Sequence, residues 1–168
     1  LIDAQTRIVA WQATQLAVES AAAAAQRMAR GQKLGAIDLT NSGTLNGRVV
    51  LAGGADRVLN SGTINGVVDL GGGADLFDGR TGVQAAAVLG GEGGDTLRGG
   101  AGRDTLSGGA GDAILSGGIG DDVIDGGAGT DVLEVSGLRS NYRLLIDGDD
   151  FILKGADGVK SGPSGSPQ

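Results

Sequence analysis

Cysteine and histidine are absent from the 168 residues. Without cysteine no disulfide can staple the fold, and without histidine the commonest zinc ligand and the usual base of a nucleophilic triad are missing. The aromatic side chains number four, Trp11, Phe77, Tyr142 and Phe151, which excludes a conventional large aromatic core. Bases are in the minority, 13 against 20 acids for a net charge of −7. That balance argues against nucleic acid, whose phosphates demand basic clusters, and favours cations as partners. No run approaches the roughly 20 apolar residues of a membrane span, so no transmembrane segment is expected. The chain starts at Leu1 with no basic, apolar, small-residue leader pattern and reads as a piece of a larger protein.

Two prolines stand against 35 glycines. Glycine at that level without a period would suggest disorder, whereas with a period it signals loops that need unusual backbone angles. Here there is a period. Asn41-Ser-Gly-Thr-Leu-Asn-Gly-Arg-Val-Val-Leu-Ala-Gly-Gly-Ala-Asp56 is echoed by Asn60-Ser-Gly-Thr-Ile-Asn-Gly-Val-Val-Asp-Leu-Gly-Gly-Gly-Ala-Asp75, 19 residues later. Self-similarity near 20 residues marks one coil of a solenoid, and the alternation of aliphatic runs with turn clusters predicts two short strands per coil.

A sharper repeat fills residues 90–134, where five frames of nine read GGEGGDTLR, GGAGRDTLS, GGAGDAILS, GGIGDDVID and GGAGTDVLE. Glycine at positions one, two and four permits positive φ, so that a turn can aim its carbonyl oxygens at a shared centre. Asp95, Asp104, Asp122 and Asp131 hold position six. A carboxylate beside several carbonyls is the hard, all-oxygen environment that calcium selects. Position eight is always aliphatic, Leu97, Leu106, Leu115, Ile124 and Leu133, and should point inward to build a thin core, leaving Arg98, Ser107, Ser116 and Asp125 outside.

Two frames per coil stack equivalent loops 18 residues apart. One edge then runs Asp56, Asp75, Asp95, Ala113, Asp131 and the other stacks Asp104 with Asp122. The like charges of such columns repel unless a cation intervenes, so metal binding should be coupled to folding. Ala113 breaks the pattern. Asp112 cannot replace the missing carboxylate, because the adjacent position faces outward, and the sites flanking this loop should bind weakly.

Around this region the expected organisation is a helix over residues 2–30 within an N-terminal segment 1–33, long-repeat coils over 34–89, and the nonapeptide roll over 90–134. A capping hairpin with an Asp-Gly turn should follow over 135–160, then a disordered tail over 161–168. The helix is read from the absence of Gly and Pro, with Gly31 as its stop. The hairpin is read from Tyr142–Ile146 and Phe151–Lys154 on either side of Asp147 and Gly148. The fold class is all-β, a parallel β-roll or β-helix solenoid with those two ends.

The five frames resemble the RTX, or haemolysin-type, calcium-binding nonapeptide repeat. The resemblance implies calcium between stacked loops, held by the aspartates and by backbone carbonyls of Gly91, Gly93, Gly100, Gly102, Gly118, Gly120, Gly127 and Gly129. Asp56, Asp75, Gly109 and Gly111 are secondary candidates, the first two on 19-residue units that resemble longer variants of the same solenoid. It also implies export of a larger bacterial-type protein by type I secretion, folding on extracellular calcium, and a secreted or cell-surface location. Other readings are a calcium-independent structural or adhesive spacer of a surface protein, in contact with cell surface or polysaccharide, and a polysaccharide-active enzyme. The aspartates are periodic rather than a unique constellation, and neither HExxH nor GxSxG occurs, so no enzymatic activity is expected.

Overall fold

Aliphatic runs of two to four residues, cut by glycine pairs, leave room for short strands only, and these must recruit partners from the next coil. The computed structural model describes the backbone of residues 5–13, 16–17, 35–136, 143–147, 150–155 and 158–163, and the side chains of residues 35–136. Among the described residues the chain is a parallel β-solenoid of about five turns with no helix.

β1 (Gln5–Ala13) and β2 (Leu16–Ala17) pair in parallel with β3 (Ala36–Leu45) and β4 (Val49–Val50). This corrects the expected N-terminal helix: helix-forming composition yields to tertiary pairing, because the edge of β3 presents backbone groups that a further parallel strand satisfies. The remainder of residues 2–30, and Gly31, lie outside the described residues.

β3 bends at Ser42 and Gly43, so residues 38–41 pair with β5 (Arg57–Asn60) while residues 44–45 pair with β6 (Thr63–Ile64). β4 pairs with β7 (Val68–Asp69). The next coil repeats the plan with β8 (Leu76–Asp78), β9 (Val83–Gln84) and β10 (Val88–Glu92). These 19-residue coils therefore carry three strands, not the expected two. From residue 96 the middle strand is lost: β11 (Thr96–Arg98) and β12 (Thr105–Ala110) make one coil, β13 (Ile114–Ser116) and β14 (Asp122–Ala128) the next, and β15 (Val132–Leu133) begins another.

The core follows this change of cross-section. Leu39, Val58, Phe77, Leu97 and Leu115 form one buried column, and Val49, Val68, Val88, Leu106 and Ile124 another. The three-strand coils add Leu45, Ile64, Leu51 and Leu70. On the third side Gln84 stands where Leu45 and Ile64 stood, buried, with Nε2 donating to the carbonyls of Gly66 (2.9 Å) and Ala86 (3.0 Å). An amide in that column closes it off, and the nonapeptide coils continue with one aliphatic per frame, the inward position eight expected from the sequence.

At the far end β16 (Arg143–Asp147) and β17 (Asp150–Gly155) are antiparallel, with Asp147 opposite Asp150. β18 (Gly158–Pro163) pairs antiparallel with β17 and parallel with β14 through Lys160 and Ser161. Residues 161–163 thus lie in a strand where a disordered tail was expected, and residues 164–168 lie outside the described residues, as do Tyr142 and Gly148 of the expected hairpin.

Candidate metal centre on the solenoid edges

Five of the aspartates are buried, an arrangement that needs an explanation in a chain with so little core. Asp56, Asp75, Asp95, Asp104 and Asp122 are each no more than 3 % exposed. Asp131, in the last frame, is only half-buried. Register brings them together as columns. Asp75 Oδ1 accepts the Asp56 N–H at 2.7 Å, Asp95 Oδ1 accepts that of Asp75 at 2.9 Å, and Asp131 Oδ1 accepts that of Ala113 at 2.9 Å. Asp56 Oδ1 in turn accepts the N–H of Ile37 at 2.7 Å. On the other edge Asp122 Oδ1 accepts the Asp104 N–H at 2.9 Å. Asp56, Asp75, Asp95, Asp122 and Asp131 are therefore each tied to the coil before through one oxygen.

The second oxygen is a different matter. Oδ2 of Asp56, Asp75 and Asp95 is buried with no hydrogen-bond partner among the described residues. Burial pushes the Asp75 carboxyl up to about 7, against the hydrogen bond from Asp56, and the charges of Asp56 and Asp95 push the same way. Burial likewise raises Asp56 to about 6, opposed by the bond from Ile37, and raises Asp95, opposed by the bond from Asp75. At an effective dielectric of about 20, two unit charges one strand spacing apart, about 4.8 Å, repel by roughly 3.5 kcal/mol. Such a column needs protons or cations.

The loops are built for close stacking. Position four has positive φ in all five frames, as at Gly93 (117°), where a β-carbon would also collide with the Gly73 carbonyl below. Gly91, Gly109, Gly118 and Gly127 at position two share positive φ, whereas Gly100 does not. The reason is its neighbour: Gly100 stacks on the corner at Gly79 and Gly82 rather than on a glycine loop, and its N–H turns back to Asp104 Oδ2 at 3.0 Å. At position one φ is ordinary, and glycine is required for space. A β-carbon on Gly99 would lie 2.7 Å from Asp104 Oδ2, and Gly90, Gly117 and Gly126 face Asp95, Asp122 and Asp131 in the same way.

Ala113 is buried in the place of a carboxylate, with the space above Gly108 facing its methyl group. Asp112 is exposed, and its Oδ1 accepts the N–H of Thr130 at 2.8 Å on the outside of the loop. Among the described residues no three acidic side chains converge on one point. A cation here would draw most of its ligands from loop carbonyls. That donor set, one or two carboxylates among neutral oxygens, suits a hard divalent ion, and the partnerless buried Oδ2 atoms fit it.

The sequence reading missed the buried amides at the other corner. Asn41 Nδ2 donates to Asn60 Oδ1 at 2.8 Å, and each Oδ1 accepts an N–H two residues on, from Gly43 and Gly62. The signal was the recurrence of Asn-Ser-Gly at a spacing of 19 residues. This ladder carries no charge and gives the 19-residue coils one self-satisfied edge.

The raised carboxyls set a pH dependence. A folded-state value above the unfolded 3.8 contributes stability that is complete below that value and lost as pH rises through about 6 to 7. Asp78, lowered chiefly by its hydrogen bonds to Arg80, acts oppositely and only below its unfolded value. In chelator, strand content followed by circular dichroism is therefore expected to increase as pH falls from about 7 to about 4; a decrease across that window would contradict the buried column.

Residues 89–118 and 111–136 match the family model of the RTX calcium-binding nonapeptide repeat, in 4 copies. Comparison with curated proteins and with solved structures finds no match.

Proposed function

We propose that the RTX nonapeptide repeats of this chain serve as the calcium-dependent folding module of a larger secreted protein, ordered after export when calcium is met outside the cell. The observation that carries the reading is the buried Asp95 carboxylate, with one oxygen bonded to the coil before and the other without a hydrogen-bond partner among the described residues. Asp95, Asp104, Asp122 and Asp131 would supply charge. Carbonyls of Gly91, Gly93, Gly100, Gly102, Gly118, Gly120, Gly127 and Gly129 would complete the sites, with Gly109 and Gly111 contributing beside the carboxylate gap at Ala113. Calcium supplies the positive charge that lets neighbouring carboxylates remain ionised in a stack. The module performs no catalysis in this reading, and the strands after residue 142 cap the last coil of the β14 sheet.

A calcium-independent spacer fits one part of the chain better. The coils over residues 36–70 bury Ile37, Leu39, Leu45, Val49 and Leu51 and then Val58, Ile64, Val68 and Leu70, beside the asparagine ladder. They bring their own core, and so serve as the platform on which the metal-dependent coils grow.

Calorimetric titration with calcium tests the reading at its weakest point. Ala113→Asp restores a carboxylate to the first edge and is expected to tighten calcium binding by about tenfold, equivalent to about 1.4 kcal/mol. Unchanged affinity and stoichiometry would count against the assignment of this loop.

A further inference from the structure

The second acidic row changes sign at its last step. Asp122 Oδ1 accepts the Asp104 N–H on the side of the preceding coil. On its other side β14 is paired in parallel with β18, and the residue in register with Asp122 is Lys160, just as Ser161 is in register with Val123. Lys160 in turn stands opposite Leu153 of β17, which stands opposite Leu144 of β16. One row across the sheet thus reads Asp104, Asp122, Lys160, Leu153, Leu144. Residues paired in register share a face, so the acidic row passes through one basic position before it turns aliphatic. The chain has three lysines, Lys33, Lys154 and Lys160. Lys154 pairs with Val159, one position away from Lys160, and so belongs to the opposite face.

The first edge ends differently. Asp131 is its last carboxylate, β15 is the terminal strand of its sheet among the described residues, and Asp131 is half-buried. A carboxylate open to water keeps its hydration. Asp122 has a strand on both sides and is 1 % exposed, and a charge enclosed in that way needs a counter-charge close by. We infer that the Lys160 ammonium is the counter-charge of Asp122, an ion-pair latch that fixes β18, and with it the antiparallel strands β17 and β16, to the last nonapeptide coil. Neighbouring strands lie about 4.8 Å apart, within reach of the four-carbon stem of a lysine. The latch also specifies register. A slip of β18 by one residue would set Val159 or Ser161 beside Asp122 and turn Lys160 to the other face. This goes beyond the calcium reading, since the latch adds no metal ligand and requires only an ionised Asp122.

Acetylation of the intact, calcium-loaded chain, with each lysine followed by mass spectrometry, tests the latch without a variant. Lys160 is expected to react about tenfold more slowly than Lys154, because an ion-paired amine stays protonated and unreactive. Equal rates would put the Lys160 ammonium in solvent and overturn the inference. Two variants separate charge from packing. In saturating calcium Lys160→Gln is expected to lower the hydrogen-exchange protection of residues 159–162 by about tenfold relative to residues 36–70, the size of one charge-assisted hydrogen bond, whereas Lys160→Arg keeps it. Protection retained in Lys160→Gln, or lost to the same extent in Lys160→Arg, would overturn the assignment of Lys160 as the counter-charge.

Discussion

Excess chelator is expected to strip the protection from hydrogen exchange of residues 96–133 while residues 36–70 retain theirs. The nonapeptide coils bury one aliphatic per frame, Leu97, Leu106, Leu115 and Ile124, each worth roughly 1.5 to 3 kcal/mol. Two aliphatics per 18-residue coil make a thinner core than the three-strand coils have, and Asp104 and Asp122 are buried in adjacent loops of one edge. In the proposed reading cation binding supplies what this core does not. The three-strand coils depend on it less, because Leu45, Ile64, Leu51 and Leu70 add to the two continuous columns. Exchange mapped by mass spectrometry, with calcium and with chelator, separates the two halves. Equal loss in both would contradict a self-sufficient platform, and equal retention would contradict metal-dependent coils.

Phe77→Ala is expected to cost about 3 to 5 kcal/mol of stability in saturating calcium, measured by denaturant titration. Phe77 is fully buried in the column between Val58 and Leu97, at the coil where the cross-section changes from three strands to two. Its ring reaches under Gly79, where a β-carbon would lie 2.8 Å from Cε1. It is the largest fully buried side chain of the described residues. Neighbouring coils have glycine-rich backbones with few side chains to move into the void, so the cavity relaxes little. A loss under about 1 kcal/mol would mean that the transition coil is not packed as described.

Much of the fold was legible because the repeat is strict. The inward aliphatics at position eight and the membership of both acidic columns followed from a spacing of nine residues and the alternation of strand side chains, and the structure stacks them in that order. Ala113 could be identified as a gap before any coordinates, since only a fixed register makes one missing carboxylate meaningful. The pairs Thr44-Leu45, Thr63-Ile64 and Val83-Gln84 were not legible as strands. Two residues carry no periodicity, and they are extended only because the coil above and below presents partners. The same tertiary pairing overrides helix propensity in residues 5–13. The separate duties of the glycines were also hidden. Gly93 and Gly99 look identical in the frame, yet one supplies a left-handed turn and the other an empty space beside Asp104. Only the position of the carboxylate oxygen distinguishes them.

Removal of a single acidic group leaves its neighbours in place, so the most direct test addresses the column as a whole. Dialysis of the intact chain to equilibrium against millimolar calcium, followed by a count of ions per chain, is expected to recover more than one bound calcium, and fewer in a chain carrying both Asp104→Asn and Asp122→Asn. A folded wild-type solenoid that retains no ion would mean that the stacked carboxylates are neutralised by protons alone, and the calcium-dependent fold would be wrong.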